Sequence, residues 1–111
     1  MILYNVTIKI ETDLHEEWLL WMQQSHIPNV MRTGIFREYR LCRLLGDDET
    51  DGITYAIQYI CDDLDSFRKY QDVYAPALQK EHSEKFLNRY VAFRTLLQVV
   101  EWNMYATQEM N

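Results

Sequence analysis

Residues 2–25, ILYNVTIKIETDLHEEWLLWMQQS, change hydrophobic period once, and that change decides the fold. Over residues 2–11 the period is two. Ile2, Tyr4, Val6, Ile8 and Ile10 share one face, while Leu3, Asn5, Thr7, Lys9 and Glu11 share the other, which is a strand half-buried under something apolar. From Leu14 the spacing becomes three and four, through Trp18, Trp21, Met22 and Ser25, and a helix is expected to about residue 25. Asp13 and Glu16 read as a capping box for it. Pro28 should break or restart that helix, Val30 and Met31 add a short turn, and Gly34 ends it.

Working outward, residues 35–45 and 53–61 read as two strands joined by the polar segment Gly46–Gly52, a hairpin closing with Asp-Gly. Asp62 and Asp63 supply an N-cap for a second helix through Leu64, Phe67, Gln71, Tyr74 and Leu78, kinked or broken at Pro76. A last strand is expected at about 90–101, and about 102–111 reads as a C-terminal tail. Strand, helix, strand, strand, helix, strand within 1–111 describes a single α+β domain. Its expected form is a ferredoxin-like βαββαβ sandwich with a four-stranded antiparallel sheet, order 4-1-3-2. The helices, near 13–32 and 63–87, cover one face.

The other sheet face is expected to carry Asn5, Thr7, Gln58, Arg94 and Gln98 among Leu3, Ile60 and Leu96. That mixture is too apolar to be fully solvated and too polar for a dry core. A second copy of the chain covers it most simply, so a homodimer through the open sheet face is expected.

Composition excludes several classes. The formal net charge of −6 repels phosphate, and the cluster Arg37, Arg40 and Arg43 is surrounded by acids, so neither nucleic acid nor an anionic membrane is an expected partner. The N-terminus has no basic, apolar leader, and no run approaches the roughly 20 apolar residues of a membrane span, so a cytoplasmic location is expected. Hairpin register separates Cys42 and Cys61 by roughly 15 Å, which predicts free thiols in a reducing compartment. The histidines His15, His26 and His82 lack metal-ligand spacing, and no glycine-rich phosphate loop or nucleophile elbow is present. No metal and no cofactor is expected.

Tyr4-Asn5-Val6-Thr7, His15 to Met22, His26-Ile27-Pro28, Gly52 to Tyr59 and Phe93-Arg94-Thr95 resemble a bacterial family catalogued as domain of unknown function 4286. More broadly the chain resembles the dimeric α+β barrel superfamily. That resemblance implies two ferredoxin-like subunits packed through their open sheet faces, often with a pocket in each. The superfamily holds cofactor-free monooxygenases, muconolactone-type isomerases, haem-degrading enzymes and stress-responsive barrels.

Trp18, Trp21 and His26-Ile27-Pro28 resemble the tryptophan-then-His-x-Pro stretch of isomerase-like and monooxygenase-like barrels. His26 is therefore the candidate catalytic residue, its imidazole suited to proton transfer. Trp18 and Met22, at steps of four before it, and Gln58 and Arg94, from the sheet, are the candidate ligand-binding residues. Such a set could hold a carboxylate or enolate beside an imidazole. No catalytic constellation is complete in the sequence, and the function remains unknown. The expectation is a small homodimer of structural or small-ligand-binding role, the alternative a cofactor-independent isomerase or monooxygenase acting on a small aromatic or lactone substrate.

Overall fold

The computed structural model describes residues 1–46 and 48–105. Its order is β1 (Ile2–Ile10), a 3-10 turn (Thr12–Leu14), α1 (His15–Trp21), a π segment (Met22–His26), α2 (Ile27–Met31), β2 (Phe36–Arg43) and β3 (Ile53–Cys61). There follow α3 (Leu64–Lys69), a second π segment (Tyr70–Tyr74), α4 (Ala75–Lys85) and β4 (Tyr90–Gln98). The strands form one antiparallel sheet in the order β2-β3-β1-β4, the expected ferredoxin-like arrangement read from its other edge. Among the described residues, no helix is long and apolar enough to cross a membrane.

The alternation of β1 is realised without exception. Ile2, Tyr4, Val6, Ile8 and Ile10 are buried against the helices, and each intervening residue is half-buried on the open face. β3 pairs with β1 in unbroken register from Ile2–Cys61 to Ile10–Ile53, which places Ile53, Tyr55, Ile57, Tyr59 and Cys61 in the same core. Trp18, Met22, Ile27 and Val30 close it from the first helical run, with Phe67, Tyr70, Ala75 and Phe86 from the second. In the hairpin Cys42 lies opposite Ala56 and Cys61 opposite Phe36, so the register holds the two cysteines apart. Both cysteines are free, Cys42 exposed and Cys61 buried.

Pro28 restarts the helix, as expected, and Pro76 likewise opens a fresh first turn, in neither case with a break. Each helical run continues through its proline, because a five-residue π segment immediately precedes α2 and α4. Proline lacks an N–H and its ring crowds the carbonyl four residues back. Widening the preceding turn to i→i+5 bonding puts Pro28 and Pro76 in the first turn of a fresh α segment, where no donor is required.

The expected capping box is also replaced. The chain enters α1 through the 3-10 turn, closed by Leu14 N–H donating to the Glu11 carbonyl (2.9 Å), and no side chain caps the helix. Asp13 instead accepts from Arg89 Nη2 at 3.2 Å, beside the Arg89–Glu11 pair at 2.6 Å. At the second helix Asp63 caps as expected, accepting from Ser66 N–H at 2.8 Å. Gly34 ends the first run with a φ of +77°, the left-handed region that glycine enters at least cost.

β4 ends earlier than expected, at Gln98, where Val99 N–H donates to the Met1 carbonyl (2.9 Å). Residues 99–105 carry no helix or strand, and they lead Trp102 and Met104 back over the open face beside Gln58 and Ile60. The rest of the expected tail lies outside the described residues.

Candidate functional site

Register sorts the expected site residues onto opposite faces of the sheet. Val6 pairs with Arg94, so Arg94 lies on the face covered by helices, not on the open face where the sequence placed it. Asn5 pairs with Gln58, and Gln58 stays on the open face opposite Arg40. The sheet itself thus separates Gln58 from Arg94, and no single ligand touches both. Trp18 and Met22 are fully buried in the core.

His26 is displaced from the expected stripe by the π segment that it ends. The i→i+5 repeat places it over Trp21, ring centroids 5.2 Å apart. It faces His82 of α4 at 5.7 Å, a proximity the sequence reading missed because it depends on how two distant helices pack. His82 is itself buried and accepts a hydrogen bond at Nε2 from Trp18 Nε1–H (2.9 Å), so its proton resides on Nδ1. Tyr90 packs edge-on against His82 at 4.5 Å, and Phe86 lies at 5.6 Å. His26 Nδ1 is buried without a hydrogen-bond partner. Burial, then the nearby Arg94 charge, lowers the His26 pKa to about 4. Burial, then His26 and Arg94, lowers that of His82 to about 4. Both imidazoles are therefore neutral at pH 7.

A cavity lies one helical turn away. It measures about 510 Å³ and sits between the second helical run and the edge strand β4. Tyr4 and Tyr70 belong to an aromatic cluster with Phe36, Tyr59 and Phe67, whose neighbouring rings lie 4.8–6.3 Å apart. Tyr4, Phe67, Tyr70 and Leu96 give the cavity its apolar walls, and Gln79 and Arg94 bring polar groups to it. Gln79 lies on the α4 stripe that runs from Ala75 to His82. Burial raises the Tyr4 pKa, an effect that Arg94 and Gln79 beside the hydroxyl partly oppose. Tyr70 is likewise raised, chiefly by burial, so both phenols stay protonated and can donate. Arg94 links the two regions, its charge reaching the imidazole pair as well as Tyr4. Tyr4 was readable as a helix-side residue from the alternation of β1. Gln79 and Tyr70 gave no signal of their own.

A family model describing a domain of unknown function, DUF4286, matches residues 1–100. The chain belongs to the DUF4286 family. No curated protein matches it. Among solved structures this DUF4286 chain is similar to a dimeric ferredoxin-like protein from an uncultured marine organism, with TM-score 0.70, 12% identity, and 95% of this chain and 100% of that chain covered. It is also similar to a putative antibiotic biosynthesis monooxygenase from Deinococcus radiodurans, with TM-score 0.65, 14% identity, and 96% and 99% covered. A third similar structure is a mutant of MhuD with two manganese protoporphyrin IX molecules bound per active site, with TM-score 0.71, 14% identity, and 95% and 100% covered. At these identities the likeness establishes the ferredoxin-like fold alone.

Proposed function

We propose that the protein is a cytoplasmic homodimer that binds a small molecule in the cavity between the second helical run and β4. The cavity carries this reading. Its volume of about 510 Å³ falls in the range of small-molecule sites, and its aromatic walls converge with a few polar groups, as such sites do. The dimer rests on the open sheet face, where Val91, Phe93 and Leu97 are 68%, 64% and 48% exposed along one line of β4. A similar structure is a dimeric ferredoxin-like protein, which supports the same assembly. The alternative, a cofactor-independent isomerase or monooxygenase, needs an imidazole against the ligand. His26 packs on Trp21 and His82 instead, so the geometry favours binding over proton transfer.

Sedimentation tests the dimer: the protein should run as a dimer at micromolar concentration, and Phe93→Asp, which buries a charge at the interface, should run as a folded monomer. A monomeric parent protein would refute the assembly. Titration with a library of mono- and bicyclic aromatic fragments tests the site. Hits should shift backbone amides of residues 64–79 and 94–96. Shifts confined elsewhere, or none at millimolar concentration, would refute the binding role.

A further inference from the structure

Resting on the reading of this cavity as a ligand site, we infer that it selects planar apolar monocarboxylates, with Arg94 as the group that recognises the anion. Among the described residues Arg37, Arg43, Arg68 and Arg89 each pair with a carboxylate, whereas Arg32, Arg40 and Arg94 join no ion pair, and of these three Arg94 alone lines the cavity. The described lining holds two cations, Arg68 and Arg94, and no carboxylate. Arg68 is already engaged, at 3.7 Å, with Asp65 on the exposed side of α3. Arg94 projects from the strand floor, on the same side of the sheet as Tyr4 and Val6.

The number of free cations sets the charge of the ligand. With Arg68 paired to Asp65, Arg94 is the one unpaired cation of the described lining, which matches the single charge of a carboxylate, and the Tyr4 hydroxyl and the Gln79 amide stand beside it. The guanidinium fork matches a carboxylate in bidentate geometry, and the hydroxyl or amide can donate to a remaining lone pair. The rest of the ligand then meets Phe67, Tyr70 and Leu96, flat apolar surfaces that suit an aromatic ring. No proton transfer is implied, because the imidazole pair lies in the core beyond Gln79 and Arg94.

Calorimetric and chemical-shift titrations with 2-naphthoate and its uncharged isostere 2-naphthamide test the inference. The acid should bind at least about tenfold more tightly than the amide. Arg94→Gln should weaken the acid by about ten- to a hundredfold and leave the amide within about threefold. Arg94→Lys, which keeps the charge without the fork, should fall between. Equal affinity of acid and amide, with shifts in the cavity, would overturn the anion selectivity and leave the cavity as a ligand site. Tight naphthoate binding indifferent to Arg94→Gln would overturn the role of Arg94. Failure of both compounds to bind would overturn the inference, and the binding role falls with it only if the fragment library also leaves the cavity unshifted.

Discussion

Lowering the pH from 8 to 5 is expected to cost the folded state on the order of 2–4 kcal/mol through His26 and His82 alone. In the unfolded chain both imidazoles ionise near their usual 6.5, and in the folded protein at about 4. Protons therefore bind the unfolded chain first, and full stability is present above pH 6.5 and is lost as pH falls toward 4. The cause is visible in the packing. His82 Nε2 accepts from the Trp18 indole, and a protonated ring would present a second N–H to that donor. Nearby stand the Arg94 charge and Lys85, with its Nζ 5.9 Å from the Trp21 ring, and both positive charges oppose a further cation. Urea denaturation between pH 8 and 5, above the range where most carboxylates titrate, isolates the effect. Proton NMR should show both rings neutral at pH 5. Rings titrating near 6.5 would contradict the buried pair.

Trp18→Ala is expected to remove about 3–5 kcal/mol, a large share of the roughly 5–15 kcal/mol of an ordinary domain. The indole is wholly buried, lies 5.0 Å from the Tyr55 ring, and joins the first helical run to the second through His82. Trp18→Phe keeps most of the apolar volume but leaves His82 Nε2 without its donor, and should cost about 1–3 kcal/mol. Denaturation midpoints at pH 7.5 measure both. A loss below about 1 kcal/mol for the alanine variant would mean that the two helical runs do not close over this residue.

Much of the fold was legible because burial on one side imposes a period. The alternations of residues 2–10 and 53–61 mark their faces, and Asp63 marks a helix start through the chemistry of its carboxylate. β4 was not legible in the same way. Val91, Phe93 and Leu97 are apolar on the open face, while Arg94 interrupts the helix-side line of Tyr90, Ala92 and Leu96, so alternation points both ways. Only pairing with β1 assigns Arg94 to the helix side. The prolines announced irregularity but not its form, since a break and a π segment both satisfy a missing N–H. That choice moved His26 from the stripe of Trp18 and Met22 onto Trp21. The imidazole pair joins residues 26 and 82, and no local pattern records a contact of that range. Asp13 shows the converse, a local capping signal overridden by a distant partner, Arg89.

A crystal structure of the protein grown with millimolar 2-naphthoate tests the central claim most directly. The account predicts one molecule in the cavity, its carboxylate within about 2.7–2.9 Å of the Arg94 guanidinium nitrogens and its rings against Tyr70 and Leu96. A cavity filled by its own side chains, or naphthoate bound only at other surfaces, would contradict it.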